Sequence, residues 1–156
     1  MDQDAFRTTY KQVNERFCAF EKSVLTNQCQ CSQAEKFCIA EREGVHCKID
    51  EGQARCLEIL DNLREQARFA LRNSNDSQRI LPHGKAIRIQ VGGMRGIFHA
   101  LNPDSEIPTP VPDINDTLLQ ALEQFGNFTD LPYSQVMQQI AAYQVKKRSR
   151  RKKSDT

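Results

Sequence analysis

Five of the chain's six cysteines fall within 28 residues, at Cys29, Cys31, Cys38, Cys47 and Cys56, and the sixth, Cys18, lies just upstream. No other feature limits the fold so strongly. Thiols gathered this densely pair with one another, share a metal, or pack as small apolar groups, and each choice fixes which segments must meet. The opening Met1-Asp2-Gln3-Asp4 is unlike a secretory signal, and no apolar run has the length of a bilayer span. The expectation is therefore a soluble cytoplasmic protein, where thiols stay reduced and a cysteine cluster points to a metal ahead of a disulfide framework.

The spacing refines that expectation. Cys29, Cys38, Cys47 and Cys56 recur every nine residues. Ser32 with Glu35 reads as a capping box that opens a helix closed by Gly44, and Asp50 with Gln53 repeats the pattern for a longer helix to about Arg72. On this reading Cys29 and Cys31 sit just ahead of a helix N-terminus, where unpaired N–H groups favour thiolates. Four thiolates suffice for tetrahedral zinc or for an iron–sulfur cluster. Zinc usually takes Cys-x₂₋₄-Cys pairs and none occurs here, so the wide gaps favour an iron–sulfur cluster, with zinc as the alternative. Cys29, Cys38 and Cys47 belong to both four-ligand sets the spacing allows, completed by Cys31 or by Cys56. Cys18 is either a small apolar residue on a helix flank or a further ligand, and His46 is either an exposed loop residue, a further ligand or a hydrogen-bond donor to the ligands.

Away from the cysteines, Phe6, Tyr10, Val13, Phe17, Phe20 and Val24 recur at steps of four and three and predict one helix over 4–25. Cys56, Ile59, Leu60, Leu63, Ala67 and Ala70 mark the inner face of the helix from Asp50. Ile87, Ile89 and Val91 alternate with Arg88 and Gln90, which predicts a strand, a turn at Gly92-Gly93 and a returning strand over 97–101. The glycines lack the Lys-Ser/Thr pair of a phosphate loop, so a turn is favoured. Four prolines make 103–113 an extended connector. Asp113 opens a helix carrying Ile114, Leu118, Leu122 and Phe125 and ended by Gly126, and a second helix runs over 132–145 with Val136, Met137, Ile140 and Ala141.

The fold class is thus mainly α: a cysteine-rich helical domain with a small β-hairpin over 1–102, the connector 103–113, and a C-terminal helical hairpin over 114–145. A basic tail, 146–156, is expected to be disordered. Its Lys146, Lys147, Arg148, Arg150, Arg151, Lys152 and Lys153 against one Asp give a net +6, which leaves −4 on the other 145 residues for a chain total of +2. The tail is either a solubilising segment without a partner or a contact for nucleic acid or an acidic protein surface. With 38% hydrophobic residues and no Trp, the core leaves room for a cofactor to add stability. The functional expectation is a small iron–sulfur protein for electron transfer or redox sensing. The alternatives are a zinc-stabilised adaptor that binds a partner through the tail, and a thiol redox protein with reversible disulfides. No general acid–base pair or paired nucleophile stands out, so the sequence favours no enzymatic role.

Overall fold

The computed structural model describes residues 3–72 and 82–143. It is mainly α with one small antiparallel β-hairpin, as the sequence predicts, but the hairpin lies elsewhere in the chain. The helices are α1 (Gln3–Val13), α2 (Glu21–Leu25), α3 (Asp50–Arg72), α4 (Pro82–Leu101), α5 (Ile114–Phe125) and α6 (Tyr133–Ala142), and the strands are β1 (Ala34–Ile39) and β2 (Arg42–Cys47).

Three expectations are corrected. The helix expected over 4–25 breaks after Val13. The Asn14 side chain, now buried, donates to the Val45 carbonyl at 3.0 Å, and Phe17 bridges to His46, so β2 competes for the backbone that would have continued the helix. Only Phe20 and Val24 of the supposed seam reach the core.

The segment expected as a helix between Ser32 and Gly44 is β1, the turn and the start of β2, paired from Ala34↔Cys47 to Ile39↔Arg42. The two-residue turn, Ala40-Glu41, carries φ of 48° and 72°, the double left-handed conformation that hairpins favour and that Asn-Gly usually signals. Ser32 caps nothing: its N–H and hydroxyl both donate to the Asp113 carboxylate, at 2.9 and 3.0 Å. Gly44 is no helix terminator. It lies opposite Phe37, whose ring occupies the space a Cβ would need.

The hairpin expected over 85–101 is α4, the central helix of the body. Residues 87–94 are buried without a break, so α4 is covered on every side, and its apolar run belongs to a buried helix. The two polar residues of the alternation have partners. Arg88 donates to the Ile140 and Ala141 carbonyls at 2.8 and 2.5 Å, closing the end of α6. The Gln90 carbonyl oxygen accepts from the Ser23 hydroxyl at 2.6 Å. Gly92 and Gly96 are notches, because a Cβ at either would stand 2.6 and 2.7 Å from the Cα of Ile140 and Val136. They let α6 press its backbone against α4 where a turn had been expected.

The other elements follow the sequence. α3 buries Cys56, Ile59, Leu60, Leu63 and Ala67; α5 buries Ile114, Leu118 and Ala121; α6 buries Val136 and Ile140. Gly126 ends α5 at φ 89°, its N–H donating to the Leu122 carbonyl. The connector starts with a turn at 103–104 and bends at 105 and 109–110, and it pairs with the cysteine stretch through Cys29↔Val111 and hydrogen bonds of 2.9 Å on either side.

Candidate metal centre

Four of the six cysteines line one small cavity, and each comes from a different stretch of backbone: Cys18, Cys31, Cys47 and Cys56. Cys18 lies in the segment between α1 and α2, held by its N–H on the Val45 carbonyl at 3.0 Å. Cys31 precedes β1 and accepts the Ala34 N–H through its carbonyl at 3.2 Å. Cys47 ends β2, and its N–H donates to the Arg16 carbonyl at 2.7 Å, so two backbone bonds tie the Cys18 segment to β2. Cys56 sits on the inner face of α3. Phe20, Ala19, Ala34 and Ile114 supply the apolar wall, with Gln33 and Gln53 completing it. The cavity measures about 10 Å³, close to what one water molecule needs.

Burial dominates the electrostatics. It pushes the Cys18 thiol up to about 12, and the Cys31 and Cys56 thiols upward as well. Beyond burial, the sulfurs act on one another: Cys18 feels Cys31 and Cys47, Cys31 feels Cys47, and Cys56 feels the other three. Every pair of the set is therefore within electrostatic reach. Opposing these effects, the Phe20 N–H donates to the Cys18 sulfur, and the Gln33 and Asn115 N–H groups donate to the Cys31 sulfur, bonds that favour thiolate over thiol. Arg55 acts in the same direction on Cys56.

All six cysteines are free thiols. Among the described residues, no three His, Cys, Asp or Glu side chains stand in a ready-made metal-holding arrangement. No three of the four sulfurs therefore converge as they stand, so at least two of them point away from a common centre. The Cys47 thiol donates to the Ile49 carbonyl at 3.2 Å. A χ1 rotation swings such a sulfur between staggered positions without moving backbone.

The other candidates lie apart from this cavity. Cys29 is buried beside Ser23 and within reach of Arg95, its thiol pushed up to about 12 by burial. With Cys31, Ser32, Lys36 and Asp113 it lines a neighbouring open cleft of about 480 Å³. Cys38 is exposed on β1, opposite Glu43. His46 places Nδ1 3.3 Å from Asn14 Oδ1 and does not line the cavity. The helix N-terminus expected beside Cys29 and Cys31 does not exist, since a strand follows them. Lys146, Lys147, Arg148, Arg150, Arg151, Lys152 and Lys153 lie outside the described residues.

The even nine-residue spacing carries no geometric meaning once residues 34–47 are strands. The period-two burial of Val45 and Cys47 was the available signal for an inward Cys47. No sequence signal marked Arg55. No helix among the described residues is long and apolar enough to cross a membrane. No known protein family, curated protein or solved structure matches the chain.

Proposed function

We propose that this chain is a metal-binding protein whose cysteine sulfurs hold a metal between the N-terminal segment, the hairpin and α3. One observation carries the reading: four of six thiols, from four separate stretches, line a single small cavity. A two-stranded hairpin is marginal by itself, and structural metal sites contribute folding energy where a core is thin. The metal's role here is to hold the fold of a binding module, and the basic residues 146–153 supply its contact with an acidic partner or nucleic acid. Reduced thiols of this kind suit the cytoplasm.

An iron–sulfur cluster and reversible disulfides draw on the same sulfurs. Purification under anaerobic, reducing conditions, followed by zinc, iron and acid-labile sulfide analysis, separates the three. The expected result is about one metal ion per chain. Protein that carries no metal and takes up neither added Zn(II) nor Co(II) overturns the reading.

A further inference from the structure

Building on that metal-binding reading, we infer that the site takes one four-coordinate ion of the zinc type, with Cys18, Cys31, Cys47 and Cys56 as ligands and the Arg55 guanidinium as charge partner. Cys29 and Cys38 stand outside it.

Size argues for a single ion. A cavity of about 10 Å³ has the room of one water, whereas a cluster adds several iron and sulfide atoms between the cysteines and would force the four segments apart. Four sulfur donors suit tetrahedral zinc and iron–sulfur centres alike, so size carries the choice between them.

Charge supplies an independent observation. Arg55 Nε is buried and has no hydrogen-bond partner among the described residues. The same guanidinium donates through an Nη to Asn115 Oδ1 at 3.1 Å, and it lies within electrostatic reach of the Cys56 sulfur. An unpartnered cationic N–H beside neutral thiols is costly. Four thiolates on a divalent ion, a centre of net charge about −2, would give that guanidinium a counter-charge reached through Cys56. The two carboxylates near the sulfurs are already engaged: Glu21 accepts from the Tyr10 hydroxyl at 2.6 Å and the Val45 N–H at 2.8 Å, and Asp113 accepts from Ser32. The N–H groups of Phe20, Gln33 and Asn115 then serve as the outer hydrogen bonds that tune metal–thiolate centres. Binding requires the Cys47 thiol to leave the Ile49 carbonyl and at least one more of the four sulfurs to turn inward with it.

The test uses the reduced full-length chain, titrated anaerobically with Co(II) and then Zn(II). Native mass spectrometry reads the stoichiometry, and the cobalt absorption reads the geometry. The expected result is one ion per chain, an intense tetrahedral-thiolate spectrum, and its displacement by one equivalent of Zn(II). Alkylation with and without Zn(II) identifies the ligands without any substitution that threatens folding. Zn(II) is expected to protect Cys18, Cys31, Cys47 and Cys56 and to leave Cys38 reactive. Cys29→Ser and Cys38→Ser keep wild-type affinity, Cys56→Ser loses more than about 100-fold, and Arg55→Gln loses about 10-fold, the range of a lost outer partner. Iron with labile sulfide, more than one ion per chain, protection of Cys38, or loss of binding in Cys38→Ser overturns this assignment while metal binding itself stands. No uptake of any metal overturns both.

Discussion

The two halves of the molecule are held together by different means. The body of α3, α4, α5 and α6 is an apolar interlock in which α4 is covered on every side and Gly92 and Gly96 admit α6 at backbone distance. The region before α3 has short elements, one two-stranded hairpin and few fully buried large side chains, with Phe20 and Val45 the chief ones. Its order comes from specific polar ties: Asn14 to Val45, Glu21 to Tyr10 and Val45, and Arg16 to Asp50 and to the Cys47 and Lys48 carbonyls. The lesson is that thiols collect where the apolar core is thinnest. There, an added bond among four sulfurs would contribute most.

The largest blow to this contrast is expected in the body. Leu63→Ala removes a fully buried side chain at the α3–α4 contact and should destabilise the whole chain by about 4 kcal/mol. Urea denaturation followed by circular dichroism would read it, and a loss under about 1 kcal/mol would mean the body is not the cohesive unit described. Gly92→Ala comes next. Its Cβ would lie 2.6 Å from the Ile140 Cα, which cannot swing aside. Overpacking exceeds the roughly 1 kcal/mol that helix propensity returns, for a net loss of about 2 kcal/mol. A thermal melt in which this variant gains stability would show that the notch is dispensable.

The seam between the halves is weaker. Gln90→Leu leaves the buried Ser23 hydroxyl without its 2.6 Å acceptor and should lose about 1 kcal/mol. Hydrogen exchange should rise in α2 and the hairpin before it rises in α4, whereas a uniform rise would erase the distinction between the halves. Smallest of all, removing residues 146–156 should change stability by less than about 0.5 kcal/mol. The same truncation should abolish salt-sensitive binding to polyanions, and retained binding would relocate that surface to the folded part.

Legibility followed the kind of signal each element offered. α3, α5 and α6 were readable because each pairs a long 3.6-residue apolar stripe with one wet face, as Ile59, Leu63 and Ala67 show. α4 misled because a helix buried all round shows no stripe, and the spacing Ile87-Arg88-Ile89-Gln90-Val91 imitates a strand until Arg88 and Gln90 are seen bonded to neighbouring elements. β1 and β2 misled in the opposite direction. Their turn uses Ala40-Glu41 where glycine or asparagine is usual, while Ser32-x-x-Glu35 imitates a cap whose serine is bound to Asp113, 81 residues away. The cysteine stretch was conspicuous in the sequence. Which four sulfurs share a cavity depended on the strand register, which local patterns do not encode.

The Gly92–Gly96 groove bears on how the chain can be cut. A fragment ending at 102 would present to water an apolar channel shaped for the α6 backbone, the kind of open surface that draws chains into aggregates. The proline-bearing connector therefore looks like a boundary in sequence yet is a poor place to divide the protein, since the helix that completes its interior lies on the far side.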